Sequence, residues 1–394
     1  MTTSSKLLPV HKRFDVSFDY GKGAYLFSKN GKRYLDFGAG VAANALGHCH
    51  EKMVATITRQ ANKLWHVCNF FNIEELNNYA EKLTAKTFAN YAFFCNSGAE
   101  SVECAIKMIR KYFYSQNQPH KNRILTFKGA FHGRTIATIS AAAKQKYLEG
   151  FAPILEGFDN VAFNDIEAVK KAITKNTAGI LIEPIQGDEG VVVADKKFIE
   201  DLRKLADEND LLLAFDEVQC GMGRTGYLYS YEYFGVTPDI LTSAKAIGSG
   251  FPLGACLATK KAASGMTYGS HGTTYGGNPL AMAVADTVLE VISADGFLDK
   301  VKENGKILIE ELKKLQNQYP NIIEEIRGLG LMIGIKINPN FENRAIAQSL
   351  LDNGLITIPA NNNVIRLLPP LIIEPSHIKE GMAIFSKTLS NIDL

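Results

Sequence analysis

From about residue 50 the chain repeats one arrangement, strand-like apolar runs alternating with stretches of helical periodicity. YAFFC leads into SGAESVECAIKMIRKYF, RILTF appears next, and AGILIEP precedes the charged stretch KKFIEDLRKLADEN; LLLAFDEV, DILTSAK and GACLAT complete the series. Apolar runs this short, without polar alternation, read as strands covered on both faces, and strands alternating with helices pair in parallel. The pattern predicts an α/β domain with a mostly parallel sheet and helices on both faces. Upstream, AYLFSKNGKRYLDF reads as a hairpin turning at Asn30-Gly31. Downstream, a periodic helix from about Asp295 to Gln318 leads into the strands LMIGIKI, LITIP and NVIRLL. These alternate with the helices ENRAIAQSLLDN and HIKEGMAIFSKTL, which predicts a smaller α+β domain.

A chain of 394 residues is long enough for one large domain and a smaller one. A net charge of +2, with no run of Lys and Arg, gives no reason to expect nucleic acid or an anionic membrane as partner. The opening MTTSSKLLPVHKRFD lacks the apolar run of a signal peptide, and no apolar span long enough for a membrane follows. A cytoplasmic protein is expected. The six cysteines are scattered without CxxC pairs and read as reduced core thiols.

Ligands of parallel sheets bind beyond the carboxyl ends of the strands, so the residues ending each apolar run matter most. Ser97-Gly98-Ala99 follows YAFFC and opens a helix. Phe131-His132-Gly133-Arg134 lies just past RILTF, Glu183 ends AGILIE, Asp216-Glu217 ends LLLAF, and Lys245 ends DILTSAK. One site would then gather a helix N-terminus, an aromatic ring, carboxylates, a lysine and an arginine. Taken alone, Lys245 reads as a solvated loop lysine. Its small apolar neighbours argue for partial exclusion of water, which lowers a lysine's pKa and makes it a nucleophile suited to forming a Schiff base. Ionised Asp216 at the end of a buried strand needs a positive partner, or else caps the following turn.

The ordered motifs YLDFGAGVAANALGHCH, CNSGAE, FKGAFHGRT, EPIQG, FDEVQCGMGRTG, AKAIGSGFPLGA and HGTTYGGNP resemble those of the class III pyridoxal-phosphate aminotransferases, across residues 15 to 390. That resemblance implies the type I aminotransferase fold. Residues 46–294 would form the large cofactor-binding domain, with residues 1–45 and 295–394 forming the small one. It also implies pyridoxal 5'-phosphate as cofactor, no metal, and a homodimer with shared active sites.

By the same resemblance Lys245 carries the cofactor, and Asp216 keeps a proton on its ring nitrogen so that the ring can accept carbanion charge. Gln219 resembles the residue bonded to the ring's phenolic oxygen, and Phe131 the residue stacked on the ring. Ser97, Gly98 and Ala99 would supply N–H groups to the phosphate, with Thr274 reaching in from the second subunit; Ser97 also reads as a plain N-cap. His132 is not required as a base, because Lys245 can shuttle the proton. Glu217 is implied to have a supporting or structural role.

Arginines suit carboxylate substrates. Arg366, interrupting the apolar strand NVIRLL, resembles the contact to the α-carboxylate of 2-oxoglutarate, and Glu183 the switch that pairs with it when an ω-amino donor is bound. Arg134, with Thr273 nearby, resembles the contact to the α-carboxylate of N2-acetylornithine. Taken singly, each arginine reads as a surface or ion-pair residue. The resemblance implies transfer of a donor's terminal amino group to 2-oxoglutarate, the donor being acetylornithine. Succinylornithine, succinyldiaminopimelate, ornithine and 4-aminobutyrate are the alternatives.

Gly221, Gly223 and Gly226 match the dinucleotide fingerprint GxGxxG after a strand, but GYLYSYEYFG reads as an aromatic loop and not the required helix. His48-Cys49-His50 lacks partners at ligand spacing. One departure stands out: where the family pattern gives EPIQGEGG, this chain reads EPIQGDEG, residues 183–190.

Overall fold

The computed structural model describes residues 6–392; residues 1–5 and 393–394, the ends of the expected small domain, lie outside it. Seven strands form the central sheet: β1 (Tyr91–Cys95), β2 (Arg123–Phe127), β3 (Phe158–Val161), β4 (Thr177–Ile182), β5 (Leu212–Asp216), β6 (Ile240–Ser243) and β7 (Gly254–Ala258). Their order across the sheet is β1-β7-β6-β5-β4-β2-β3. Every pairing is parallel except those of β7, which runs antiparallel to both its neighbours. The central strands β4 and β5 are buried along their whole length, as their unbroken apolar sequences require.

The helix Gly98–Ser115 leaves β1 and covers one face of the sheet. Its buried side chains Val102, Ala105, Ile106, Ile109 and Phe113 recur at helical spacing. The helix Lys196–Glu208 buries Phe198, Ile199, Leu202 and Ala206 against Leu213 and Phe215, on the other face. The helix Pro279–Ile292 has ten of its 14 residues buried and escapes a periodicity reading, because hardly any face of it meets water. The long helix Phe297–Gln318 starts just after Gly296, whose φ of 76° is a glycine conformation.

The hairpin forms as read, Tyr25–Ser28 against Arg33–Asp36. Its sheet gains a parallel strand, Leu355–Ile356, from far along the chain. Ile358–Ala360 pairs instead with Val364–Leu367, so LITIP is divided between two sheets at Thr357. Ile323–Leu329 and Met332–Ile337 complete that second sheet, and the helix Pro375–Ser390 closes the chain's C-terminal part. GYLYSYEYFG, read as a loop, contains the short helix Ser230–Phe234. All six cysteines are free; Cys49 and Cys68 are exposed, and only the other four are core thiols. Among the described residues no helix is long and apolar enough to cross a membrane.

Candidate active site

The carboxyl ends of β1, β2, β5 and β6 open onto one cavity of about 320 Å3, lined by Ser97, Gly98, Ala99, Phe131, Asp216 and Lys245 among others. The topology explains the meeting. Parallel strands deliver their following loops to the same edge of the sheet, whatever their separation in sequence.

Asp216 is buried and held from three sides. Its Oδ1 accepts from the Val218 N–H and the Thr242 hydroxyl, both at 3.1 Å, and its Oδ2 lies 2.7 Å from His132 Nδ1. A carboxylate only accepts, so His132 donates through Nδ1. His132 is therefore a constituent of the site that the sequence reading left without a task.

Lys245 follows β6 in a short 3-10 turn and has a φ of 49°, in the left-handed region. Burial pushes its amine below the ordinary lysine range, while the charges of Glu183 and Asp216 oppose that shift. Glu183 is pushed up to about 7 by burial and by Asp216, and its Oε2 accepts the Phe131 N–H at 2.7 Å. Ser97 caps the helix Gly98–Ser115, its side chain accepting the Glu100 N–H at 3.3 Å. Gly98 and Ala99, whose N–H groups precede the first bonds of the helix, line the cavity. A Cβ on Gly98 would lie 2.7 Å from Val218 Cγ1, so only glycine lets the helix start this close to the loop after β5.

Arg366 is buried; its Nη1 donates to Gln219 Oε1 at 3.3 Å, and its Nε has no partner. No ion pair joins Arg366 to Glu183 among the described residues; each binds elsewhere, Arg366 to Gln219 and Glu183 to the Phe131 N–H. Arg134 is exposed and lines a second cavity of about 510 Å3, which shares Phe131 with the first. Thr273 and Thr274 line neither cavity. Thr273 accepts the Gly276 N–H, and Thr274 is exposed. Glu217 turns away from the cavity and accepts the N–H groups of Ser230 and, at 2.9 Å, Tyr231, which anchors the short helix there. His48 bonds Asp36 through Nε2 at 2.8 Å.

These residues fit pyridoxal phosphate. A helix N-terminus suits its phosphate, a fixed carboxylate suits its ring nitrogen, and a buried amine of lowered pKa suits its carbonyl carbon, all within one cavity.

The chain belongs to the aminotransferase class-III family, which it matches over residues 9–389. It is a pyridoxal-phosphate-dependent aminotransferase. It is 54% identical to the acetylornithine aminotransferase of Agrobacterium fabrum over 96% of this chain and 95% of that one. The succinylornithine transaminase of Yersinia pseudotuberculosis is 45% identical over 96% of this chain and 93% of its own. Among solved structures, the ornithine aminotransferase of Toxoplasma gondii superimposes with a TM-score of 0.93 at 29% identity, covering 97% of this chain and 92% of that one.

Proposed function

We propose that the protein transfers the δ-amino group of N2-acetyl-L-ornithine to 2-oxoglutarate, giving N-acetyl-L-glutamate 5-semialdehyde and L-glutamate, as a step of arginine biosynthesis. The observation that carries this reading is the 54% identity to an acetylornithine aminotransferase over almost the whole of both chains.

Pyridoxal phosphate, when bound, supplies an electron sink for the bond that ionises next to the transferred nitrogen. The chain's own residues do the rest. Lys245 would hold the cofactor through Nζ, and its free amine would move the proton at the donor's δ-carbon. Burial, which lowers its pKa, favours the neutral, basic form of the amine. Asp216, fixed by His132, would keep the ring nitrogen protonated. Ser97, Gly98 and Ala99 would hold the phosphate, with Phe131 beside the ring and Gln219 toward the phenolic oxygen.

Arg366 holds the α-carboxylate of 2-oxoglutarate; a buried guanidinium with a free Nε supports this. Arg134, with Thr273, holds the donor's α-carboxylate. Glu183 neutralises Arg366 while that donor is bound; after Asp188, its charge is the next to oppose the lowering of the Arg366 pKa by burial.

The enzyme works as a cytoplasmic homodimer, with Thr274 serving the phosphate of the partner subunit. Support comes from the exposure of Thr274 and from the exposed aromatics Trp65, Phe70, Phe71 and Tyr275. Residues 1–45 and 295–394 make the small domain and residues 46–294 the large one, a division supported by a central sheet drawn wholly from the latter.

The test is a panel of amino donors with 2-oxoglutarate as acceptor: acetylornithine, succinylornithine, succinyldiaminopimelate, ornithine and 4-aminobutyrate. Acetylornithine should give the highest kcat/KM. A higher value for any other donor replaces it as the substrate.

A further inference from the structure

The two residues that depart from the family pattern, Asp188 and Glu189, do not hang free in the loop. Both carboxylates converge on Lys144 Nζ at 3.2 Å. Asp188 Oδ2 also accepts from the Tyr147 hydroxyl at 3.0 Å and from Asn361 Nδ2 at 2.9 Å. Glu189 Oε1 accepts from Asn362 Nδ2 at 2.8 Å. Three stretches far apart in sequence, around residues 144, 188 and 361, are closed onto one pair of carboxylates.

Tyr147 extends this clamp to the substrate side. Its ring is buried, with the edge-to-face partner Phe131 at 6.0 Å and the Arg134 guanidinium only 3.9 Å from the ring centre. Arg134 makes no ion pair among the described residues, so the aromatic face is its support. A phenol donating to a carboxylate carries a more electron-rich ring, which strengthens its hold on a cation. The hydroxyl bond also fixes the plane of the ring, and with it the place where the guanidinium rests.

We infer that Asp188 and Tyr147 form a positioning pair for Arg134 and thereby set the enzyme's affinity for the carboxylate end of its amino donor. This rests on the reading above, in which Arg134 holds that carboxylate. Neither residue of the pair touches the reacting atoms. Lys144, Glu189 and Asn362 keep their mutual bonds when the pair is broken, so the loop stays closed without it.

The experiment uses full-length holoenzyme carrying Tyr147→Phe, Asp188→Ala or both. It compares KM for acetylornithine, KM for 2-oxoglutarate and kcat, and measures calorimetric binding of N2-acetyl-L-norvaline, which has the carboxylate but no δ-amino group to react. Each single variant should raise the donor KM, and weaken norvaline binding, by about five- to tenfold, the loss of one hydrogen bond with part of a cation–π contact. For Tyr147→Phe, which leaves the charge of Asp188 beside Arg366 in place, KM for 2-oxoglutarate and kcat should stay within about twofold. The double variant should be no worse than Asp188→Ala alone, because Tyr147 is tied to the clamp only through that carboxylate.

Unchanged donor KM and norvaline binding would overturn the pair, as would equal rises for both substrates in Tyr147→Phe or simple addition in the double variant. If wild-type enzyme does not use acetylornithine, the functional reading falls instead. The same comparison, with the best α-carboxylate-bearing donor of the panel and its analogue lacking the amine, then decides the pair. Should Asp188→Ala fold poorly, Tyr147→Phe, which removes a single oxygen, still gives the answer.

Discussion

His132 and Asp216 form a buried pair, Nδ1 to Oδ2 at 2.7 Å, between the loop after β2 and the end of β5. The carboxylate at the end of a fully buried strand thus meets a donor from the chain itself, in addition to any from the cofactor. Two more donors, Val218 N–H and the Thr242 hydroxyl, fix its other oxygen. A carboxylate held this firmly would need no reorganisation in the role proposed for it, as partner of the cofactor's ring nitrogen.

His132→Phe should leave Asp216 in place but less well oriented. Turnover and cofactor affinity should each fall about tenfold, while Asp216→Ala should slow turnover at least about a hundredfold with the fold retained. Turnover, cofactor titration and circular dichroism on both variants check this. A silent His132→Phe would reduce the histidine to a space-filler, and near-normal turnover by folded Asp216→Ala would remove the carboxylate from the mechanism.

Lys245 should be the residue that carries the cofactor. Borohydride reduction of the yellow holoenzyme, followed by peptide mass spectrometry, should find the label on Lys245 alone. A label on another lysine contradicts the assignment.

The two arginines should divide the substrates. Arg366→Ala should chiefly impair the half-reaction with 2-oxoglutarate and Arg134→Ala the one with acetylornithine, each by roughly 2–5 kcal/mol, or about 30- to several-thousand-fold. Glu183→Gln should act in the opposite sense to Arg366→Ala, making glutamate a better competitor against acetylornithine. Stopped-flow absorbance of each half-reaction separates these effects. Equal losses in both half-reactions would assign the arginines to the fold or the cofactor.

Glu217 gives a prediction about pH. Burial lifts its carboxyl to about 7 against the opposing pull of the Ser230 and Tyr231 N–H groups. The folded protein therefore binds this proton more tightly than the unfolded chain, whose glutamates titrate at the ordinary value of 4.5. The associated stability is complete below the unfolded value and is lost as pH rises towards the folded one, on the order of 3 kcal/mol in all. Glu217→Gln has no such proton to lose. Denaturant titrations at about pH 5 and pH 8 should show wild type gaining on the variant at the lower pH; a constant difference would mean that Glu217 stays ionised throughout.

The meeting of Ser97, Phe131, Asp216 and Lys245 was legible in sequence because parallel strands set their C-terminal ends along one edge. His132 was not, since its task exists only when the loop after β2 folds over β5. Its sole sequence signal is a titratable residue placed directly after a cavity-facing aromatic. The Lys144–Asp188–Asn361 closure was equally hidden, although the departure at residues 188–189 marked the right loop. Ser230–Phe234 was taken for loop because five residues are too few to display a helical period. The separation of Glu183 from Arg366 depends on local partners, the Phe131 N–H and Gln219, that no motif encodes.

The left-handed backbone of Lys245, with φ at 49°, bears on how such an enzyme ages and evolves. An L-residue bearing a side chain pays roughly 1–2 kcal/mol to sit there, and glycine would sit there freely. The position is therefore one where folding and chemistry pull in opposite directions, and random substitution under selection for robustness alone would drift towards glycine. A descendant of this chain released from its catalytic duty would be expected to lose its lysine early and become sturdier for it.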